Sequence, residues 1–295
     1  MCYHETGDNM NKKNTVDDFG TEDTYKLYRT VYEIIHPTIS KKNISNYKIM
    51  MQEDLVPLRI FYPKKISKIE KVIIYLPGKT WIVNGIKDYT DICQGLVKEL
   101  DILVIALDYT QDWYHKTVEI CKNTVEYLIH GLNRVGIEKE AITLMGDSTG
   151  ASLLASITQL EKEPLSKQIL LYPALNLTFE NPENYPSLEQ NNKLDLLTLN
   201  HLKTYEKKYI DKKYYHSPLT EESYETWPTT LIITGDLDPV RDEGMALAKN
   251  IRKENRKSKI INIKFASHGF LNSKDEESIE EAMKEIKKFI SKKER

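Results

Sequence analysis

The 295-residue sequence predicts an α/β protein built on a mostly parallel sheet of about eight strands with helices on both faces. Three observations carry that expectation. Short Ile/Val-rich runs recur at KVIIYLP (71–77), ILVIALDY (102–109), AITLMGD (141–147), QILLYP (168–173), TLIITGD (230–236) and IINIKF (260–265). Near-continuous apolar runs of this length suit strands buried on both faces. Between most of them lie segments of helical period, at 88–100, 116–135, 149–162, 242–255 and 276–291. Alternation of the two implies crossover connections and therefore parallel strands. The third observation is a glycine-flanked serine, Gly146-Asp147-Ser148-Thr149-Gly150, placed where a strand gives way to a helix.

Taken in chain order, residues 1–20 are polar and irregular. Thr21 to Ile35 has early acids and apolar Leu27, Val31, Ile34 and Ile35 at helical spacing, and His36-Pro37 forbids its continuation. Tyr47–Met51 and Pro57–Tyr62 read as a hairpin leading into the sheet. Residues 174–229 break the alternation. They contain the turn-rich NPENYPS, a helical piece around Leu196–Tyr209 and the stretch KKYYHSP. Such a length between two strands exceeds a simple crossover and predicts an inserted cap over the carboxyl end of the sheet. The expected organisation is a tail and cap helix over 1–45, then one catalytic domain over 46–295 carrying the 174–229 cap. The last helix has acids at its start and lysines at its end, the arrangement that offsets a helix dipole.

Composition narrows the function. Lys+Arg 42 against Asp+Glu 44 gives a net charge of −2, so no basic field exists to collect nucleic acid. The longest apolar runs fall far short of the 18 or so residues of a membrane span, and the N-terminal stretch has no apolar signal region, so a cytoplasmic location without membrane insertion is expected. Cys2, Cys93 and Cys121 are too few and scattered for a disulfide framework or metal cluster, and the latter two lie at core positions of helical patterns. No decisive apolar stripe marks a dimer face, which leaves a homodimer open.

The chemistry begins at Ser148. A G-x-S-x-G between strand and helix presents the serine Oγ on a tight turn where only small neighbours fit, and the Thr149 amide at the helix N-terminus is aimed at a developing oxyanion. On this scaffold an acid and then a histidine follow the serine in the chain. His201 and His216 fall within the 174–229 insertion, whereas His268 follows the last strand in SHGF. The loop GDLDPVRDE offers Asp236 and Asp238, with Asp242 expected to cap the next helix.

Together GDSTG, GDLDPVRDEG and SHGF resemble the hormone-sensitive-lipase-like branch of the α/β-hydrolase fold, a family of carboxylesterases and lipases, over roughly residues 45–290. The early helix is similar to that family's N-terminal cap segment. The resemblance implies that Ser148, Asp238 and His268 are the catalytic triad, because the first aspartate of D-P is the family's triad acid. It implies a supporting role for Asp147, expected beside Trp81 at the substrate pocket. It also implies an oxyanion hole from the backbone of Gly78, Lys79 and Thr80 with Thr149. Here the sequence departs from the family: PGKTW stands where the family has His-Gly-Gly-Gly-Trp/Phe. A side chain at a position needing positive φ costs on the order of 1 kcal/mol. A lost oxyanion donor costs about 2.7–4 kcal/mol. Asp108-Tyr109-Thr110-Gln111 likewise lacks the family's arginine and proline after D-Y. Gly78-Lys79-Thr80 is not a phosphate-binding loop, since position 73 is isoleucine rather than glycine. The expected activity is hydrolysis of a small-molecule carboxylic ester without metal or organic cofactor. A weakly catalytic or non-catalytic binder and an amide or peptide hydrolase are the alternatives.

Overall fold

A computed structural model describes residues 21–36, 44–47, 55–63, 69–79, 89–165, 167–192, 197–254 and 256–292. Their strands are β1 (Ile44–Tyr47), β2 (Leu58–Phe61), β3 (Val72–Leu76), β4 (Leu103–Leu107), β5 (Ile142–Asp147), β6 (Gln168–Leu171), β7 (Thr230–Gly235) and β8 (Ser258–Ile263). They form one sheet in the order β1-β2-β4-β3-β5-β6-β7-β8. β1, β2 and β4 pair antiparallel, and the run from β4 to β8 is parallel throughout. The first strand lies earlier than expected: it ends at Tyr47, and residues 48–54 fall outside the described ones. β8 begins two residues before its apolar run and is only partly buried, as an edge strand is, so its pattern is diluted.

Side chains sort to the two faces of the sheet by strict alternation. Ile73, Tyr75, Val104, Met145 and Ile169 pack under α2 (Thr90–Leu100) and α8 (Glu276–Ser291). Ile74, Leu76, Ile105, Leu144 and Leu170 face α3 (Tyr114–Arg134), α4 (Thr149–Leu160) and α7 (Arg241–Lys253). That period of two explains why the runs are apolar at successive positions: each face has its own helical layer. Cys93 and Cys121 are fully buried in α2 and α3. α1 (Thr21–Ile35) sets Leu27 and Val31 against Gly131. Gly131 is near the end of α3 that lies away from the sheet's carboxyl edge, so these contacts brace the back of the fold.

The 174–229 insertion carries α5 (Ser187–Gln190) and α6 (Leu199–Tyr209), and α5 is stitched to the segment that follows β7. Ser187 Oγ donates to Pro239 O (2.9 Å), Ser187 N–H to Asp242 Oδ2 (2.8 Å) and Asn191 Nδ2 to Asp238 O (3.1 Å). Tyr215 meets Tyr114, at the start of α3, edge to face at 5.5 Å. The insertion thus sits at the carboxyl edge of the parallel strands, where ligands of open α/β sheets bind. Among the described residues no helix is long and apolar enough to cross a membrane.

Candidate active site

Ser148 stands between β5 and α4 with φ 50° and ψ −121°. A non-glycine residue at such angles stores roughly 1–3 kcal/mol and persists only when its surroundings hold it there. They do. The Ser148 N–H donates to Leu171 O (2.9 Å), and its carbonyl accepts from Ser152 N (3.0 Å). The flanking glycines make the turn possible: a Cβ on Gly150 would lie 2.0 Å from Leu76 O, and one on Gly146 would lie 2.6 Å from Gly150 O. Ser148 is 7% exposed at the sheet's carboxyl edge.

Two further loops on that edge complete a chain of hydrogen bonds. The turn after β7 carries Asp238, fully buried, with Oδ1 accepting from Val240 N–H at 2.9 Å. The loop after β8 carries His268 and is tied to the first by Leu237 N–H donating to Ala266 O (3.0 Å). His268 Nδ1 lies 2.9 Å from Asp238 Oδ2, and its Nε2 lies 2.8 Å from Ser148 Oγ. With the proton on Nδ1, Asp238 accepts it and Nε2 is free to accept from the serine hydroxyl. Tyr172, at φ 36°, presents its ring edge-on to the imidazole, with centroids 5.1 Å apart.

Geometry also separates the other acids and histidines. Asp236 faces Arg241 (3.7 Å) and Asn262 Nδ2 (3.3 Å). Asp242 does not cap α7 as expected: Val240 holds the cap position, and Asp242, in the first turn, binds Ser187 N–H and the Arg241 guanidinium. The cap position falls earlier because Asp238 already takes the Val240 N–H and leaves the turn tight. His201 closes a capping box with Thr198 at the start of α6, and His216 is exposed.

The oxyanion side differs from the expectation. The Gly78 N–H donates to Asp147 Oδ1 (2.6 Å), and the Lys79 N–H donates to the Thr149 hydroxyl (3.0 Å). Two of the four expected donors are therefore committed within the protein, Thr80 lies outside the described residues, and only the Thr149 N–H has no acceptor among the described residues. Lys79 does not adopt a positive φ, so the strain anticipated for a side chain there does not arise. Its ammonium is engaged within the protein. It bonds Asp108 Oδ1 (2.6 Å) and Tyr109 O (2.5 Å), and lies 5.0 Å from the centre of the Tyr109 ring. Tyr109 in turn donates its hydroxyl to Pro77 O (2.6 Å). These bonds tie the 77–79 loop to the 108–109 loop and fix the path of the segment that lacks the family's arginine and proline.

Asp147 lies beside Ser148 at the end of β5. It is buried, and its carboxylate accepts from the Tyr75 hydroxyl, the Gly78 N–H and, at 3.5 Å, the Tyr172 hydroxyl. Burial pushes its carboxyl above the ordinary range, and the Tyr75 and Gly78 hydrogen bonds oppose that shift. Trp81 lies outside the described residues. Sequence reasoning missed Tyr75, Tyr172 and Glu243. Glu243, buried in α7, accepts from the Leu175 and Asn176 N–H groups at the start of the insertion, and burial raises its carboxyl to about 7.

The family model for the alpha/beta hydrolase fold matches residues 73–272. An arylesterase from Saccharolobus solfataricus is 25% identical over 276 residues, covering 88% of this chain and 89% of the relative. An arylacetamide deacetylase from Rattus norvegicus is 28% identical over 192 residues, 60% of this chain and 46% of the relative. An ethyl acetate hydrolase from Pseudomonas putida is 22% identical over 233 residues, 73% and 71% of the two chains. Among solved structures, a Pyrobaculum calidifontis esterase superposes with TM-score 0.74 at 21% identity, covering 91% of each chain, a likeness of fold. With the match spanning the elbow serine, the aspartate turn and the histidine loop, the chain belongs to the alpha/beta hydrolase fold family.

Proposed function

We propose that the chain is a serine carboxylesterase acting on a small-molecule ester. The observation that carries this reading is the continuous path Ser148 Oγ–His268–Asp238 at the carboxyl edge of the sheet. The relatives called arylesterase and ethyl acetate hydrolase support it. Ser148 Oγ attacks the ester carbonyl carbon while His268 Nε2 takes its proton. Asp238 holds the imidazole tautomer and stabilises the imidazolium. The oxyanion that forms accepts from the Thr149 N–H at the α4 N-terminus. Collapse expels the alcohol, which receives the proton from His268, and leaves Ser148 acylated. Water then gives its proton to His268 as it attacks the acyl carbon, the carboxylic acid departs, and the proton returns to Ser148. The 174–229 segment acts as the cap that shapes the acyl site, held at its root by Glu243 and Asn191.

The relatives called arylacetamide deacetylase favour a second reading, hydrolysis of an aryl amide by the same residues. One experiment tests both: turnover of p-nitrophenyl esters of increasing acyl length and of p-nitroacetanilide, wild type beside Ser148→Ala. The ester reading expects ester turnover that exceeds anilide turnover and falls about 10⁴-fold or more in the variant. Ester turnover unchanged in Ser148→Ala would remove the nucleophile assignment. Anilide turnover equal to that of the esters would move the assignment to an amide hydrolase.

A further inference from the structure

The opposite edge of the sheet holds a cavity of about 340 Å³. It opens where β7 and β8 begin and where α7 and α8 end. Its walls carry Arg252, Arg256, Lys257, Lys259, Lys288 and Lys292, with Phe289 among them and no carboxylate among the described lining residues. In a chain of net charge −2, six cations around one small cavity are a local concentration that composition does not explain.

Compensation of the helix dipole is the simplest account of lysines at the end of α8, and other residues already provide it. Lys71 Nζ donates to Ile290 O and Lys167 Nζ to Lys292 O, each at 3.3 Å. Lys167 is largely buried beneath that helix end. The lining cations are in excess of that need. Two of them are held in place by single bonds to carbonyls, Arg252 Nε to Ser258 O (3.2 Å) and Arg256 Nε to Trp227 O (2.9 Å), so their remaining N–H groups stay available. Lys259 pairs with Glu285, whereas Lys257 and Lys292 have no acidic partner among the described residues. Glu285 neutralises one of the six cations, the rest repel one another, and a bound multivalent anion relieves that repulsion.

We propose that this cavity binds a small molecule bearing a polyphosphate group, with an apolar body seated against Phe289. Guanidinium forks and ammonium groups converging from two helix ends match several phosphate oxygens at once. Because β7 spans six residues between this cavity and the turn that carries Asp238, the two sites lie roughly 20 Å apart, and the ligand does not compete with an ester for Ser148.

The test is calorimetric titration of the full chain with tripolyphosphate and with ATP, at low and at physiological ionic strength. Saturable one-to-one binding of both is expected, weakened by salt and weakened about tenfold or more in Lys257→Glu/Lys292→Glu, with ester turnover unchanged. Lys257→Gln/Lys292→Gln provides the same comparison should charge reversal impair folding. ATP is expected to bind more tightly than tripolyphosphate, and Phe289→Ala to remove the difference. No saturable heat, or equal affinity in wild type and both double variants, overturns the site. Equal affinity for the two probes overturns the apolar seat.

Discussion

The elbow at 146–150 and the loop at 77–79 face one another across the same site, yet they are held by different means. At the elbow, backbone crowding decides everything: Gly150 lies so close to Leu76 O that no side chain fits, and the strained Ser148 is pinned through its own N–H and carbonyl. In the facing loop such crowding is confined to Gly78, against Asp147, and at Lys79 side chains do the holding instead. The Lys79 ammonium bridges to Asp108 and Tyr109, and the Lys79 N–H is spent on the Thr149 hydroxyl. A turn imposed by sterics tolerates one sequence. A turn held by side-chain bonds can be rebuilt from other residues, which is how Lys79 stands where the family has a glycine.

That contrast orders the expected effects. The largest belongs to the hydrogen-bonded path that starts from the elbow serine. Asp238→Asn preserves the volume beside His268 but favours the wrong imidazole tautomer, and it is expected to lower kcat by about 10⁴ without loss of folded protein. A drop of less than tenfold would show that His268 is oriented by something other than the 2.9 Å bond to Asp238.

On the rebuilt half the expected change is smaller and opposite in sign. Thr149→Ala removes the hydroxyl that consumes the Lys79 N–H and releases that donor toward the oxyanion. One aimed donor is worth about 10²–10³ in rate, and partial recovery of it should raise kcat several-fold on p-nitrophenyl acetate. A lower kcat would mean instead that the Thr149 bond positions the loop, and that the contrast drawn between the two halves is wrong on this side.

The smallest effect is on stability. The Glu243 carboxyl moves from 4.5 in the unfolded chain to about 7 in the fold because burial disfavours its charged form. Between those values the native state holds more protons than the unfolded state. This contribution is therefore fully present below pH 4.5 and is lost as the pH rises through about 7. Glu243→Gln keeps an acceptor for the Leu175 and Asn176 N–H groups and removes the titration, so Tm should fall less steeply with pH across that window than in wild type. Parallel Tm profiles for the two proteins would show that the carboxyl does not titrate there.

How much of this was legible in the sequence follows the same division. β3 to β7 declare themselves because both faces are buried and each run is nearly continuous in apolar residues. β8, half exposed, and β1, whose expected span reached past Tyr47, do not. Gly146, Ser148 and Gly150 are readable because local crowding permits few residues. Tyr75 and Tyr172 are not, because their meeting with Asp147 depends on sheet register: Tyr75 pairs with Met145, two residues before Asp147. The Lys79–Asp108 bridge is equally hidden, since it joins loops 29 residues apart that only the sheet brings together.

The central claim, that Ser148 is a nucleophile activated by His268, is tested most directly by labelling the full chain with a fluorophosphonate and mapping the modified peptide. One label per chain on Ser148, absent in Ser148→Ala and strongly slowed in His268→Asn, is the predicted result. A label on another residue, or labelling of Ser148 at the same rate without His268, would contradict it.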